Sequence, residues 1–96
     1  MGNAGNLEDF VHALICKPTP EQVWQKAFAI SLEYELSGVR KDCYGNLIRM
    51  EDYGNRNSEY GWEMDHILPT SYGGRDTINN FRPLHWRANT RRGNEI

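Results

Sequence analysis

Residues 61–93 restrict the fold more than any other stretch of the chain. Gly61-Trp62-Glu63-Met64-Asp65-His66-Ile67 alternates, with Trp62, Met64 and His66 on one side and Glu63 and Asp65 on the other. That is the two-residue period of a strand with unlike faces. Pro69 lacks a backbone donor and stops it. Residues 70–80, with Gly73-Gly74 in the middle, read as an extended loop. Phe81-Arg82-Pro83-Leu84-His85 predicts a short second strand, and residues 86–92 a helix closed by Gly93. Strand, loop, strand and helix in this order can close into a ββα hook.

The preceding residues predict helices and one hairpin. Leu7, Phe10, Val11, Leu14 and Ile15 stand at helical spacing, so residues 7–15 are expected to form a short helix. A second helix should begin at Pro20, with Thr19 as cap and Gln22 completing a capping box. Its apolar positions are Val23, Trp24, Ala27, Phe28, Ile30, Leu32, Tyr34 and Leu36, and Gly38 ends it. Trp24 and Phe28 are read as helical core rather than as a base-stacking pair. Residues 39–50 read as a hairpin turning at Tyr44-Gly45-Asn46, and residues 51–60 as a polar loop. The expected fold class is α+β: N-terminal helices packed on a ββα core. A chain of 96 residues suits one domain, with a helical segment over 1–38 and the core over 39–96.

Charge is unevenly placed. The chain carries a formal −2, but residues 1–74 hold six Lys/Arg against eleven Asp/Glu, whereas residues 75–96 hold five Arg against Asp76 and Glu95. A basic end on an acidic chain points to a local anion site. Arg82, Arg87, Arg91 and Arg92 are the candidate phosphate contacts; a solvated charge run is the alternative. Cys16 and Cys43 form no Cys-x-x-Cys pair, so a zinc knuckle is not expected and reduced thiols in a cytoplasmic protein are, with one disulfide as the alternative. No apolar run reaches membrane-spanning length, and the start carries neither a signal peptide nor the myristoylation pattern.

The hook would gather a chemical set. Asp65 offers a hard carboxylate oxygen and Asn89 an amide carbonyl, both suited to Mg²⁺ or Mn²⁺. His66 supplies an imidazole, a base that takes a proton from water near neutral pH. Asn80 reads as a loop-tying amide that helps hold His66. His85 is open between metal ligation, phosphate contact and packing on Trp86, and Glu63 is a further carboxylate beside the set. One cation, one base and nearby positive charge are what phosphodiester hydrolysis requires.

The run Trp62-Glu63-Met64-Asp65-His66-Ile67-Leu68-Pro69, then Gly73-Gly74, Asn79-Asn80-Phe81-Arg82-Pro83-Leu84-His85-Trp86-Arg87-Ala88-Asn89 and Arg91-Arg92-Gly93, resembles the HNH endonuclease motif. The resemblance covers roughly residues 40–94, counting Arg40 to Asn46 and Tyr53-Gly54-Asn55, as in small stand-alone HNH proteins. It implies that His66 is the general base, Asp65 the metal ligand before it, and Asn80 the central structural Asn. Asn89 matches the last metal-binding residue, with Asn in place of His, and Arg92 the basic residue that often ends the motif. Many relatives bind a structural zinc through two Cys-x-x-Cys pairs. His85 and Ala88 stand at the second pair's positions, so no structural zinc is expected.

The implied activity is metal-dependent phosphodiester hydrolysis leaving a 5′-phosphate and a 3′-hydroxyl. The expected substrate is double-stranded DNA. The expected cofactor is one divalent cation, Mg²⁺ or Mn²⁺ ahead of Zn²⁺ or Ni²⁺. One active site would nick one strand; opposed sites in a homodimer would cut both. The competing readings are a nucleic-acid-binding protein with a degenerate site, a structural module, and a detached effector or toxin domain held by an immunity partner.

Overall fold

A computed structural model describes residues 17–93 of the chain, and the helix expected over residues 7–15 lies outside them. The described chain is α+β. Helix α1 spans Pro20–Trp24 and opens on the expected capping box. The Thr19 hydroxyl accepts from the Gln22 amide at 3.2 Å, and the Gln22 side chain accepts from the Thr19 amide at 2.9 Å.

The single helix expected over 20–38 is not formed. Helix α1 ends after one turn, and Phe28 becomes extended, exchanging backbone hydrogen bonds of 2.9 Å with Lys41. Ser31 then caps a second one-turn helix, α2, at Leu32–Leu36. Two causes compete with helix continuation here. The outer edge of the next strand offers unpaired backbone groups that Phe28 satisfies, and Ser31 favours a cap over a helix interior. Phe28 is 58% exposed, Leu32 74% and Leu36 80%, so of the expected core stripe only Val23 and Trp24 are buried.

Strands β1 (Val39–Lys41) and β2 (Leu47–Arg49) form the expected antiparallel hairpin. Strands β3 (Trp62–His66) and β4 (Phe81–His85) form a second antiparallel pair, with Trp62 opposite His85 and His66 opposite Phe81. Helix α3 (Trp86–Arg92) follows β4 without a break, and its Gly93 cap has φ 58°, which favours glycine. The three elements make the ββα hook.

The core joins the hook to the rest. Val23 and Trp24 of α1, Ile48 of β2, Trp62 of β3 and Phe81 of β4 are buried together. Trp62 lies between Trp24, ring centroids 5.3 Å apart, and Tyr53, at 4.9 Å. Both strands of the hook thus turn one face to this core, and that leaves Glu63 and Asp65 on the opposite face, towards α3.

Candidate active site

The loop between β3 and β4 is closed by Asn80. Its backbone carbonyl accepts from Ile67 and its side-chain oxygen from Leu68, both at 2.8 Å. Its amide nitrogen donates to the carbonyls of Leu68 and Arg75, each at 2.9 Å. A Cβ on Gly74 would fall 1.7 Å from the Leu68 oxygen, so only glycine fits inside the closure. Asn80 therefore fixes the path of residues 67–80, as its place in the sequence suggests, and the same path carries Asp76 back to His66.

His66 sits at the rim of the apolar face. Its ring packs on Phe81 with centroids 4.4 Å apart, and Nε2 lies 2.6 Å from an Asp76 carboxylate oxygen. An ionised carboxylate only accepts, so Nε2 carries the proton and donates to Asp76. In the neutral ring Nδ1 is then the acceptor nitrogen. The contact holds the imidazole against an acidic partner.

On the opposite face two carboxylates alternate with guanidiniums. Asp65 is 4% exposed. One of its oxygens accepts from Arg82 Nε at 2.8 Å, the other from Arg92 at 3.0 Å. Glu63 accepts from Arg56 at 2.6 and 2.9 Å and from the Asn89 amide at 2.7 Å. The Arg56 hydrogen bond above all holds the Glu63 carboxyl below its ordinary range, burial opposing it and Asn89 adding to it. Asn89 and Arg92 are one helical turn apart on the face of α3 that covers β3. The hydrogen bond of Asn89 therefore goes to Glu63, two residues before Asp65, while Asp65 is met by Arg92.

The other candidates divide. Arg82 stacks on Tyr44, 5.4 Å from the ring centroid, besides its bond to Asp65. Arg87 pairs with Glu59 at 2.8 and 3.1 Å and lies over Trp86. Arg91 has no ion-pair partner among the described residues, and with Arg87 it lines a shallow cleft beside Asn46 and Leu47. His85 resolves towards structure. Its Nδ1 caps α3 by accepting from the Arg87 amide at 3.1 Å, Nε2 donates to the Glu59 carbonyl at 2.8 Å, and the ring stacks on Trp86. Neither ring nitrogen is left over for a cation.

Three residues escaped the sequence reading: Asp76, Arg56 and Asp42. Asp76 and Arg56 lie in loops, where no periodicity marks a contact. Asp42 did carry a signal, since Asp three residues before a turn glycine favours a side-chain-to-backbone turn. It is 2% exposed and accepts from the amides of Tyr44, Asn46 and His85 and from the Asn46 side chain. It ties the hairpin turn to the start of α3.

Among the described residues, no three His, Cys, Asp or Glu side chains converge as a ready cation cage. The donor chemistry nevertheless suits a hard divalent ion. Asp65 and Asn89 offer oxygens, and the buried Asp65 carboxylate already draws positive groups to both of its oxygens. An ion there would complete its shell with water or phosphate oxygen.

Residues 52–95 match the HNH endonuclease family model. The match takes in the whole ββα hook and begins after the β1–β2 hairpin. No curated protein and no solved structure gives a significant match. No helix among the described residues is long and apolar enough to cross a membrane. The motif, its spacing and the ββα topology all fall within this matched segment, which is consistent with a protein of the HNH endonuclease family.

Proposed function

We infer that this chain is a metal-dependent endonuclease acting on double-stranded DNA, with His66 as general base and one active site nicking one strand. The single observation that carries the reading is the His66–Asp76 pair at 2.6 Å, set one residue from the buried Asp65. A base in a fixed tautomer beside a carboxylate that requires a positive partner is the minimum for activating water against a phosphodiester.

In this reading His66 Nδ1 takes the proton from the attacking water, and Asp76 holds the ring and stabilises the imidazolium that forms. The water oxygen bonds to phosphorus while the bond to the 3′ oxygen breaks, and that oxygen takes a proton from bulk water, leaving a 5′-phosphate and a 3′-hydroxyl. Asp65 and Asn89 would hold one Mg²⁺ or Mn²⁺, whose charge when bound stabilises the phosphorane and the leaving oxygen. Adjacent strand residues face opposite sides, so a phosphate reached by both His66 and Asp65 must straddle the end of β3. Arg91 and Arg87 border the cleft that would follow the backbone.

One observation favours a second reading, a DNA-binding protein that does not cut: both oxygens of Asp65 are held by arginine. Supercoiled plasmid incubated in turn with Mg²⁺, Mn²⁺, Ni²⁺ and Zn²⁺ separates the two. Open circles that form with at least one ion, and not with chelator, are expected. Retarded but uncut plasmid with every ion would leave only binding.

A further inference from the structure

We propose that Arg92 is an exchangeable internal cation for Asp65, and that its exchange couples divalent-cation binding to nucleic-acid binding. The proposal rests on the endonuclease reading above and concerns the same site. Asp65 is a buried carboxylate with two unlike positive partners. Arg82 is fixed: it stands directly opposite Asp65 in the strand pair, bonds it through Nε, and has its guanidinium stacked on Tyr44. Arg92 is placed differently. It is the last residue of α3, just before the glycine cap, and it reaches Asp65 through one nitrogen and the Ile67 carbonyl through the other at 2.7 Å.

Helix ends open more readily than strand pairs. Arg92 is therefore the partner proposed to leave, although its docked side chain is less exposed than that of Arg82, 10% against 21%. Its side chain is only 10% exposed while docked, so it neutralises Asp65 rather than serving solvent. A divalent cation and the Arg92 guanidinium compete for the same oxygen, because a buried carboxylate oxygen cannot satisfy both at full strength. A phosphate is the natural second partner for a guanidinium, through a bidentate, charge-assisted bond. The Ile67 carbonyl belongs to the residue after His66, so Arg92 grips the backbone one residue past the proposed base.

The coupling follows from this competition. With no nucleic acid, Arg92 stays on Asp65 and the cation binds weakly. When a backbone phosphate draws Arg92 away, Asp65 is left with Arg82 alone and takes the cation. Because linkage is reciprocal, the cation also tightens nucleic-acid binding by the same factor. The device would keep the site from assembling a charged cation centre until a substrate is present.

The test is calorimetric titration of Mn²⁺ into the full-length chain, in a His66→Ala background so that DNA is not consumed. Titrations are run with and without a short duplex. The parent should bind Mn²⁺ about tenfold more tightly with duplex, within the usual range of coupling. Arg92→Gln should bind Mn²⁺ more tightly without duplex and gain little when duplex is added. Arg92→Lys keeps the charge but not the two-nitrogen grip, so it should fall between them, and it replaces Arg92→Gln if that variant does not fold. Asp65→Asn separates the two levels of the argument. Unchanged Mn²⁺ affinity in Asp65→Asn overturns the metal-site reading and the coupling with it. Affinity lost in Asp65→Asn but the same in the Arg92 variants as in the parent overturns the coupling alone.

Discussion

In the proposed mechanism His66 acts from one side of its ring. Asp76 holds Nε2, and Nδ1 is the nitrogen left with a lone pair. Asp76→Asn should therefore lower cleavage by about 10- to 100-fold, the usual range for a partner that orients a functional histidine. An ¹⁵N spectrum of the ring should show the Nε2–H tautomer weakened in the variant. Unchanged rate and tautomer would reduce Asp76 to a surface contact. The residue types at Asp65, His66, Asn80 and Asn89 were legible because their order and spacing are carried by the chain itself. Their partners were not. Asp76 reaches His66 only because Asn80 and Gly74 close the loop, and Arg56 reaches Glu63 from another loop. Pairings made by a loop's path leave no period in a sequence. The same limit explains why Asn89 is found on Glu63 while Arg92 takes Asp65.

At the scale of elements, the hook was legible and the N-terminal helical run was not. Strand alternation, Pro69 and the Gly93 stop mark β3, β4 and α3 by local physics. The break after Trp24 depends on a partner 13 residues away, the edge of β1, which helical periodicity cannot show. Two small elements are then held by single residues. Asp42 joins the hairpin turn to the first amide of the helix junction, and Asp42→Ala would take the acceptor from four donors, the buried His85 amide among them. That should cost at least about 2 kcal/mol, read as a lower urea midpoint. A midpoint within error of the parent would contradict the role. Glu35 pairs with Arg40 at 2.5 and 3.0 Å, and Arg40 also bonds the Trp24 carbonyl and lies over its ring. The Arg40 hydrogen bond holds the Glu35 carboxyl below its ordinary value. A depressed folded value means stability present above the unfolded value, near ~4.3, and lost as pH falls through the folded one. Glu35→Gln should therefore show a flatter acid limb in a stability–pH curve, and an unchanged limb would remove the pair from the account.

For the whole molecule, the charge asymmetry is real in the sequence but differently used in space. Of the four arginines expected to contact phosphate, Arg82 and Arg92 turn inward to Asp65, and Arg87 is paired with Glu59. Arg91 borders the cleft with Arg87. The outer pair is thus the better candidate for the DNA backbone. Arg87→Gln/Arg91→Gln should weaken binding to all duplex sequences alike and reduce the salt slope by about one unit per lost phosphate contact. An unchanged slope would leave these side chains as a solvated face. The central claim is that this domain cuts DNA with His66 as its base, and it is tested most directly by nicking of supercoiled plasmid. Wild type and His66→Ala are compared with the most active metal, at protein concentrations giving equal DNA occupancy. Loss of about 10²–10⁴-fold in nicking rate with binding retained is the expected result; a His66→Ala variant that nicks at the wild-type rate would contradict it.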